Sequence, residues 1–133
     1  MIHLVTGGSG SGKSAYAEQC ILDFGGTRRV YIATMQPFGA EGQARIARHR
    51  KMRAAKQFST IECYTNLKEV ELEPGSDVLL ECMSNLTANE IFDPSGAGKA
   101  RAEEEILAGV SRLAHQARNL VLVTNEIFSD GYR

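Results

Sequence analysis

A chain of 133 residues, 43% hydrophobic and 23% charged, carries enough apolar material for one packed core and no compositional mark of disorder. Its formal net charge of -1 excludes a nucleic-acid binder held by bulk phosphate attraction, which needs a marked basic excess. The three cysteines, Cys20, Cys63 and Cys82, are odd in number and far apart, which excludes a disulfide framework or a C-x-x-C motif and fits reduced, buried thiols in a cytoplasmic protein.

In chain order, the first apolar run, Ile2 to Thr6, is broken by His3 and ends at Gly7. It is too short for a signal peptide, and no later run is long enough to span a bilayer. Further apolar runs follow at Arg29 to Thr34, Asp77 to Glu81 and Asn119 to Thr124. Their near-continuous Val, Leu and Ile content predicts strands buried on both faces, as in a parallel sheet covered by helices, hence an α/β architecture.

Between these runs the pattern turns helical. From Lys13 to Phe24, residues Ala17, Cys20, Ile21 and Phe24 share one helix face, and Gly25-Gly26 supplies a stop. Ala40 to Arg53 is helix-like but rich in Arg, Lys and His and poor in large apolar residues, so it is not expected to enter the core. Phe58 to Tyr64 alternates and reads as a short edge strand. Asn66 with Glu69 forms a capping pair for a brief helix ended by Pro74-Gly75. A further helix is predicted over Ser84 to Phe92, then a loop from Asp93 to Lys99. A last helix, Ala100 to Arg118, buries Ile106, Val110, Leu113 and Ala117. The expectation is a single nucleotide-binding domain over residues 1–133.

The segment Gly7-Gly8-Ser9-Gly10-Ser11-Gly12-Lys13-Ser14 matches G-x-x-x-x-G-K-[ST], placed after a buried strand and before an amphipathic helix. Glycines let backbone N–H groups turn inward around phosphates, and the helix N-terminus adds partial positive charge. Lys13 is expected to reach the β- and γ-phosphates and the Ser14 hydroxyl to hold Mg²⁺. Two other matches, Asp23-Phe24-Gly25 and Gly96-Ala97-Gly98-Lys99, lack the flanking elements of a nucleotide motif and read as loops.

In open parallel sheets ligands sit beyond the carboxyl ends of the strands, which directs attention to Thr6-Gly7, Thr34, Glu81 and Asn125-Glu126. Glu81, closing Val78-Leu79-Leu80, is the preferred Mg²⁺-side carboxylate, and Glu126 is its rival. His49 sits in Arg45-Ile46-Ala47-Arg48-His49-Arg50-Lys51-Met52-Arg53, a run whose charges repel one another unless an anion is near. A neutral imidazole there can attack phosphorus to give a labile phosphoramidate, with guanidiniums offsetting the charge; the other reading is an exposed histidine on a solvated basic face. His3 and His115 lack such surroundings and read as structural.

Taken together, these residues resemble the bifunctional adenosylcobinamide kinase/adenosylcobinamide-phosphate guanylyltransferase family. The resemblance rests on Leu4-Val5-Thr6-Gly7-Gly8 and the loop that follows, Tyr31-Ile32-Ala33-Thr34, Arg45-Ile46, His49-Arg50, Arg53, Thr60 with Glu62, Leu79-Leu80-Glu81-Cys82 with Asn85, and Val123-Thr124-Asn125-Glu126. It implies a P-loop NTPase-like fold, mainly a parallel sheet flanked by helices, and two reactions at one nucleotide site. ATP or GTP phosphorylates adenosylcobinamide, and GTP then donates GMP to adenosylcobinamide phosphate through a histidine-GMP intermediate, with His49 matching that histidine. By the same resemblance Gly7 to Ser14, Ala33, Thr34, Met35, Arg50, Lys51, Met52, Arg53, Glu62 and Glu81 contact nucleotide, and the chain forms a homotrimer. Gly10 departs from the Arg common in the family, and relatives continue with a further helix and strand, so the chain is expected to be truncated at its C-terminal end. From residues alone, a monofunctional small-molecule kinase and a nucleotide-dependent switch remain open, although neither Asn-Lys-x-Asp nor a strand-following Asp-x-x-Gly is present.

Overall fold

The computed structural model describes residues 2–7, 12–36 and 39–125. In chain order these give β1 (Ile2–Gly7), α1 (Lys13–Asp23), β2 (Arg28–Ala33), α2 (Gly39–Ala55), β3 (Phe58–Glu62), a 3₁₀ turn (Leu67–Glu69), β4 (Ser76–Glu81), α3 (Met83–Phe92), α4 (Ala102–Gln116) and β5 (Asn119–Asn125). The described strands form one sheet in the order β1-β5-β4-β2-β3, with every pairing parallel. The α/β architecture read from the apolar runs is therefore present, and β3 lies at an edge as its alternation predicted.

The continuous apolar character of β4 has a direct cause. Its side chains alternate between two cores, Val78 and Leu80 on one face and Leu79 on the other, so no position is free to be polar on solvent's account. One core gathers Val5, Tyr31, Leu79, Val121 and Val123 beneath Ala17 and Ile21 of α1. The other gathers Ile32, Val78, Leu80, Leu120 and Leu122 beneath Leu86 of α3 and Ile106 and Leu113 of α4. Leu79 and Leu80 are both fully buried, and each such burial contributes about 1.5–3 kcal/mol.

Several helix details differ from the sequence reading. Ala117 and Arg118 lie outside α4: Ala117 is extended, and the Arg118 N–H donates to the Ser76 carbonyl at 2.7 Å, so the chain joins the sheet instead of completing another turn. Asn66 does not cap the turn after it. It adopts φ 58°, makes no side-chain cap, and its backbone N–H donates to Glu90 at 2.8 Å. The buried Glu90 carboxylate also accepts from the Ala97 N–H at 2.8 Å, so one tertiary acceptor holds two loops where a local cap was expected. Cys63 and Cys82 are buried free thiols, whereas Cys20 is only half-buried. In α2 the described side chains of Ala47, Arg48, Arg50 and Lys51 are exposed, in keeping with a helix outside the core. Among the described residues, no helix is long and apolar enough to cross a membrane.

Candidate nucleotide site

Parallel register brings the carboxyl ends of the strands level. Gly7 of β1 pairs with Asn125 of β5, and Ala33 of β2 lies between Glu81 of β4 and Glu62 of β3. Gly12, directly before α1, takes φ 81° with nothing near its missing Cβ. The requirement for glycine there is conformational: the left-handed turn is costly for other residues. It launches α1, whose first turn contains no acidic residue, leaving the positive end of the helix available to an anion.

The first two residues of α1 point toward the end of β4. Ser14 Oγ donates to Glu81 Oε2 across 67 residues of sequence, and the Tyr31 hydroxyl donates to Glu81 Oε1 at 3.0 Å. Lys13 is half-buried and close enough to Cys82 for its ammonium to oppose the upward push that burial exerts on that thiol. A hydroxyl and a carboxylate side by side are hard oxygen donors of the kind Mg²⁺ prefers, with phosphate oxygens and water filling its other positions. No cluster of three or more His, Cys, Asp or Glu that could hold a metal is found among the described residues. A hollow of about 560 Å³ lined by Leu4, Val5, Thr6, Gly7, Gly12, Lys13 and Tyr16 flanks this point.

The segment after β2 is held from the opposite side. Thr34 is fully buried, its hydroxyl accepting from the Cys82 N–H at 2.8 Å and lying 2.8 Å from the Cys82 carbonyl, while Asn89 of α3 donates to the Thr34 carbonyl at 2.7 Å. Thr34 thus spends its side chain on the backbone that follows Glu81. Gln36 donates to Asp93 at 2.7 Å. The Ser95 hydroxyl, the Ser95 N–H and Gln36 together hold the Asp93 carboxyl below its usual range. Ala33 and Met35, on either side of Thr34, are half-buried.

Arg50 of α2 forms a salt bridge with Glu62 at the end of β3, and the Tyr64 hydroxyl donates to the same carboxylate at 2.7 Å. Glu62 is one wall of a groove of about 610 Å³ that also involves Gln36, Tyr64, Asn66, Glu69 and Asp93. His49, Lys51, Met52 and Arg53 share α2 with Arg50.

Of the residues singled out from sequence, Ser14 and Glu81 come into direct contact, Lys13 adjoins them, and Arg50 meets Glu62. Gly8, Ser9, Gly10, Ser11 and Glu126 lie outside the described residues. Sequence reasoning missed Tyr31, Asn89 and Asp93. Tyr31 was absorbed into an apolar run, yet a tyrosine among valines and isoleucines is a signal, because a buried phenol requires a hydrogen-bond partner.

Comparison with known proteins adds a second line of information. The family model described as cobinamide kinase/cobinamide phosphate guanyltransferase matches residues 3–132. The bifunctional adenosylcobalamin biosynthesis protein CobU of Escherichia coli (strain K12) is 35% identical over 140 residues, an alignment covering 96% of this chain and 76% of that protein. CobU of Salmonella typhimurium (strain LT2) is 36% identical with the same coverage. The bifunctional adenosylcobalamin biosynthesis protein CobP of Pseudomonas aeruginosa (strain PAO1) is 33% identical over 95% of this chain and 72% of its own length.

Proposed function

The chain belongs to the cobinamide kinase/cobinamide phosphate guanyltransferase family, and from that premise we propose that one nucleotide site performs two successive transfers. In the first, the aminopropanol hydroxyl of adenosylcobinamide attacks the γ-phosphorus of ATP or GTP. The hydroxyl proton is lost, the nucleoside diphosphate leaves, and adenosylcobinamide phosphate forms. In the second, a ring nitrogen of His49 attacks the α-phosphorus of GTP and pyrophosphate departs. A phosphate oxygen of adenosylcobinamide phosphate then displaces the imidazole from phosphorus, giving adenosyl-GDP-cobinamide and restoring His49.

The residues divide this work. Backbone amides from Gly7 to Ser14 cradle the polyphosphate, and Lys13 offsets charge on its outer phosphates. Ser14 and Glu81 hold Mg²⁺, which when bound neutralises charge on the phosphate oxygens. Ala33 to Met35 and Arg50 to Arg53 line the nucleotide, Arg50 being paired with Glu62. Glu62 suits the N–H donors of a guanine edge. The single observation that carries this reading is the hydrogen bond from Ser14 to Glu81, which joins the start of the phosphate-binding helix to the end of the central strand. By family resemblance the working form is a cytoplasmic homotrimer.

The test uses GTP labelled at either phosphate. With label at the α-phosphate, protein should retain acid-labile radioactivity, and His49→Ala should lower this by at least about a hundredfold. The same variant should still pass γ-label to adenosylcobinamide. Wild-type protein that binds GTP yet stays unlabelled, or label that survives His49→Ala, contradicts the assignment of the guanylyl step to His49.

A further inference from the structure

Glu81 receives a second donor that neither reaction requires on first inspection. Tyr31 belongs to β2, and its register partner on β4 is Leu79; Glu81 lies two residues further along, paired with Ala33. Tyr31 and Glu81 are therefore diagonal neighbours on the same face of the sheet, a separation that only a long side chain spans. The Tyr31 residue is 8% exposed, its ring packed in the core beneath α1 with Val5, Ala17, Ile21 and Leu79. From that fixed seat its hydroxyl reaches Glu81 Oε1 at 3.0 Å while Ser14 donates to Oε2.

We propose that Tyr31 is a positioning residue for the phosphate-binding site, fixing the Glu81 carboxylate so that Oε2 faces Ser14 and the cation carried by the nucleotide. This rests on the proposed Mg²⁺-side role of Glu81 and extends it to a residue of the apolar core.

The physical argument concerns rotational freedom. A glutamate at a strand end has three rotatable side-chain bonds, and freezing them at the moment of nucleotide binding is unfavourable. A phenol locked in the core holds one oxygen in advance, so the other is presented without that entropy loss. The Ser14 proton is directed to Oε2, which leaves the serine lone pairs available to a metal ion. Phenylalanine in place of Tyr31 keeps the ring and removes the hydroxyl that donates to Glu81.

The experiment is calorimetric titration of GTP at a series of Mg²⁺ concentrations and again in EDTA, for the wild type, Tyr31→Phe and Glu81→Gln. The rotational freedom that Glu81 regains predicts that Tyr31→Phe raises the Mg²⁺ concentration giving half-maximal GTP affinity by about five- to tenfold. Affinity in EDTA should stay close to wild type. If Glu81→Gln shifts the Mg²⁺ dependence and Tyr31→Phe does not, Tyr31 is only a core residue and the proposal fails. If neither variant shifts it, the Mg²⁺ role of Glu81 falls and the proposal with it. A shift equal in EDTA and in Mg²⁺ also overturns the proposal, because it reports general damage to the site.

Discussion

At the amino end of the sheet, Asp77 is entirely buried and its carboxylate accepts three hydrogen bonds: from Arg118 Nε at 3.1 Å, Arg118 Nη2 at 2.9 Å and Asn119 Nδ2 at 3.0 Å. Arg118 Nη2 also donates to the Phe24 carbonyl at 2.9 Å, so the pair ties the end of α1 to the starts of β4 and β5. The two ends of this bridge differ in exposure, with the Arg118 side chain 46% exposed and that of Asp77 0%. Removing Arg118 takes away two of these three hydrogen bonds and the charge that neutralises a buried anion, for which a loss of about 3–5 kcal/mol is expected. Asp77→Asn leaves instead a guanidinium that water can still reach, and should cost only about 1–3 kcal/mol. Urea unfolding of Arg118→Ala, Asp77→Asn and the double variant measures this asymmetry and the coupling between the two. An Arg118→Ala protein destabilised less than Asp77→Asn, or additive effects in the double variant, would refute the view that the arginine's main task is to neutralise a buried charge.

Two further predictions follow from the core. The Cys63 thiol is pushed up from 9.0 to about 11, first by burial and then by Glu90 and Glu69. The folded protein thus holds this proton more tightly than the unfolded chain, so the stabilisation is complete below pH 9 and is lost as pH rises from about 9 to about 11, on the order of 3 kcal/mol. Stability measured across that range should fall more steeply for the wild type than for Cys63→Ala; parallel curves would contradict the assignment. At Gly109 of α4, an added Cβ would lie 2.7 Å from Leu67 Cβ and 3.0 Å from the Lys68 backbone nitrogen. Gly109→Ala should therefore lower stability by about 1–3 kcal/mol despite alanine's higher helix propensity, and a rise in the thermal midpoint would show that the helix can move aside.

The readable and unreadable parts of this protein differ in how far along the chain their causes lie. Strands β2, β4 and β5 announce themselves because burial on both faces forces consecutive apolar residues, a constraint visible within six or seven positions. The same expectation fails for β1, an edge strand of the described sheet whose Ile2 and Leu4 are 51% and 63% exposed. Gly12, Lys13 and Ser14 draw attention for an equally local reason, since the proposed phosphate cradle would be built from neighbouring residues. Glu81 is found because it closes a strand, a position that sheet geometry makes meaningful. The failures have the opposite character. Asn66 and Glu69 have the spacing of a local cap, but Glu90 supplies the acceptor from 24 residues away. Tyr31 looks like one more core residue, and its hydroxyl finds Glu81 from 50 residues away. Asn89, on a helix whose pattern only calls for burying Leu86, reaches back 55 residues to hold the Thr34 carbonyl. Tyr31 and Glu90 are buried, and without a partner the polar atoms of each would cost about 1–3 kcal/mol. A buried tyrosine, asparagine or glutamate therefore demands a distant partner even where sequence does not reveal which one. Two of these partners, Tyr31 and Asn89, hold Glu81 itself and the Thr34 backbone beside it, the strand ends at which the proposed site is built.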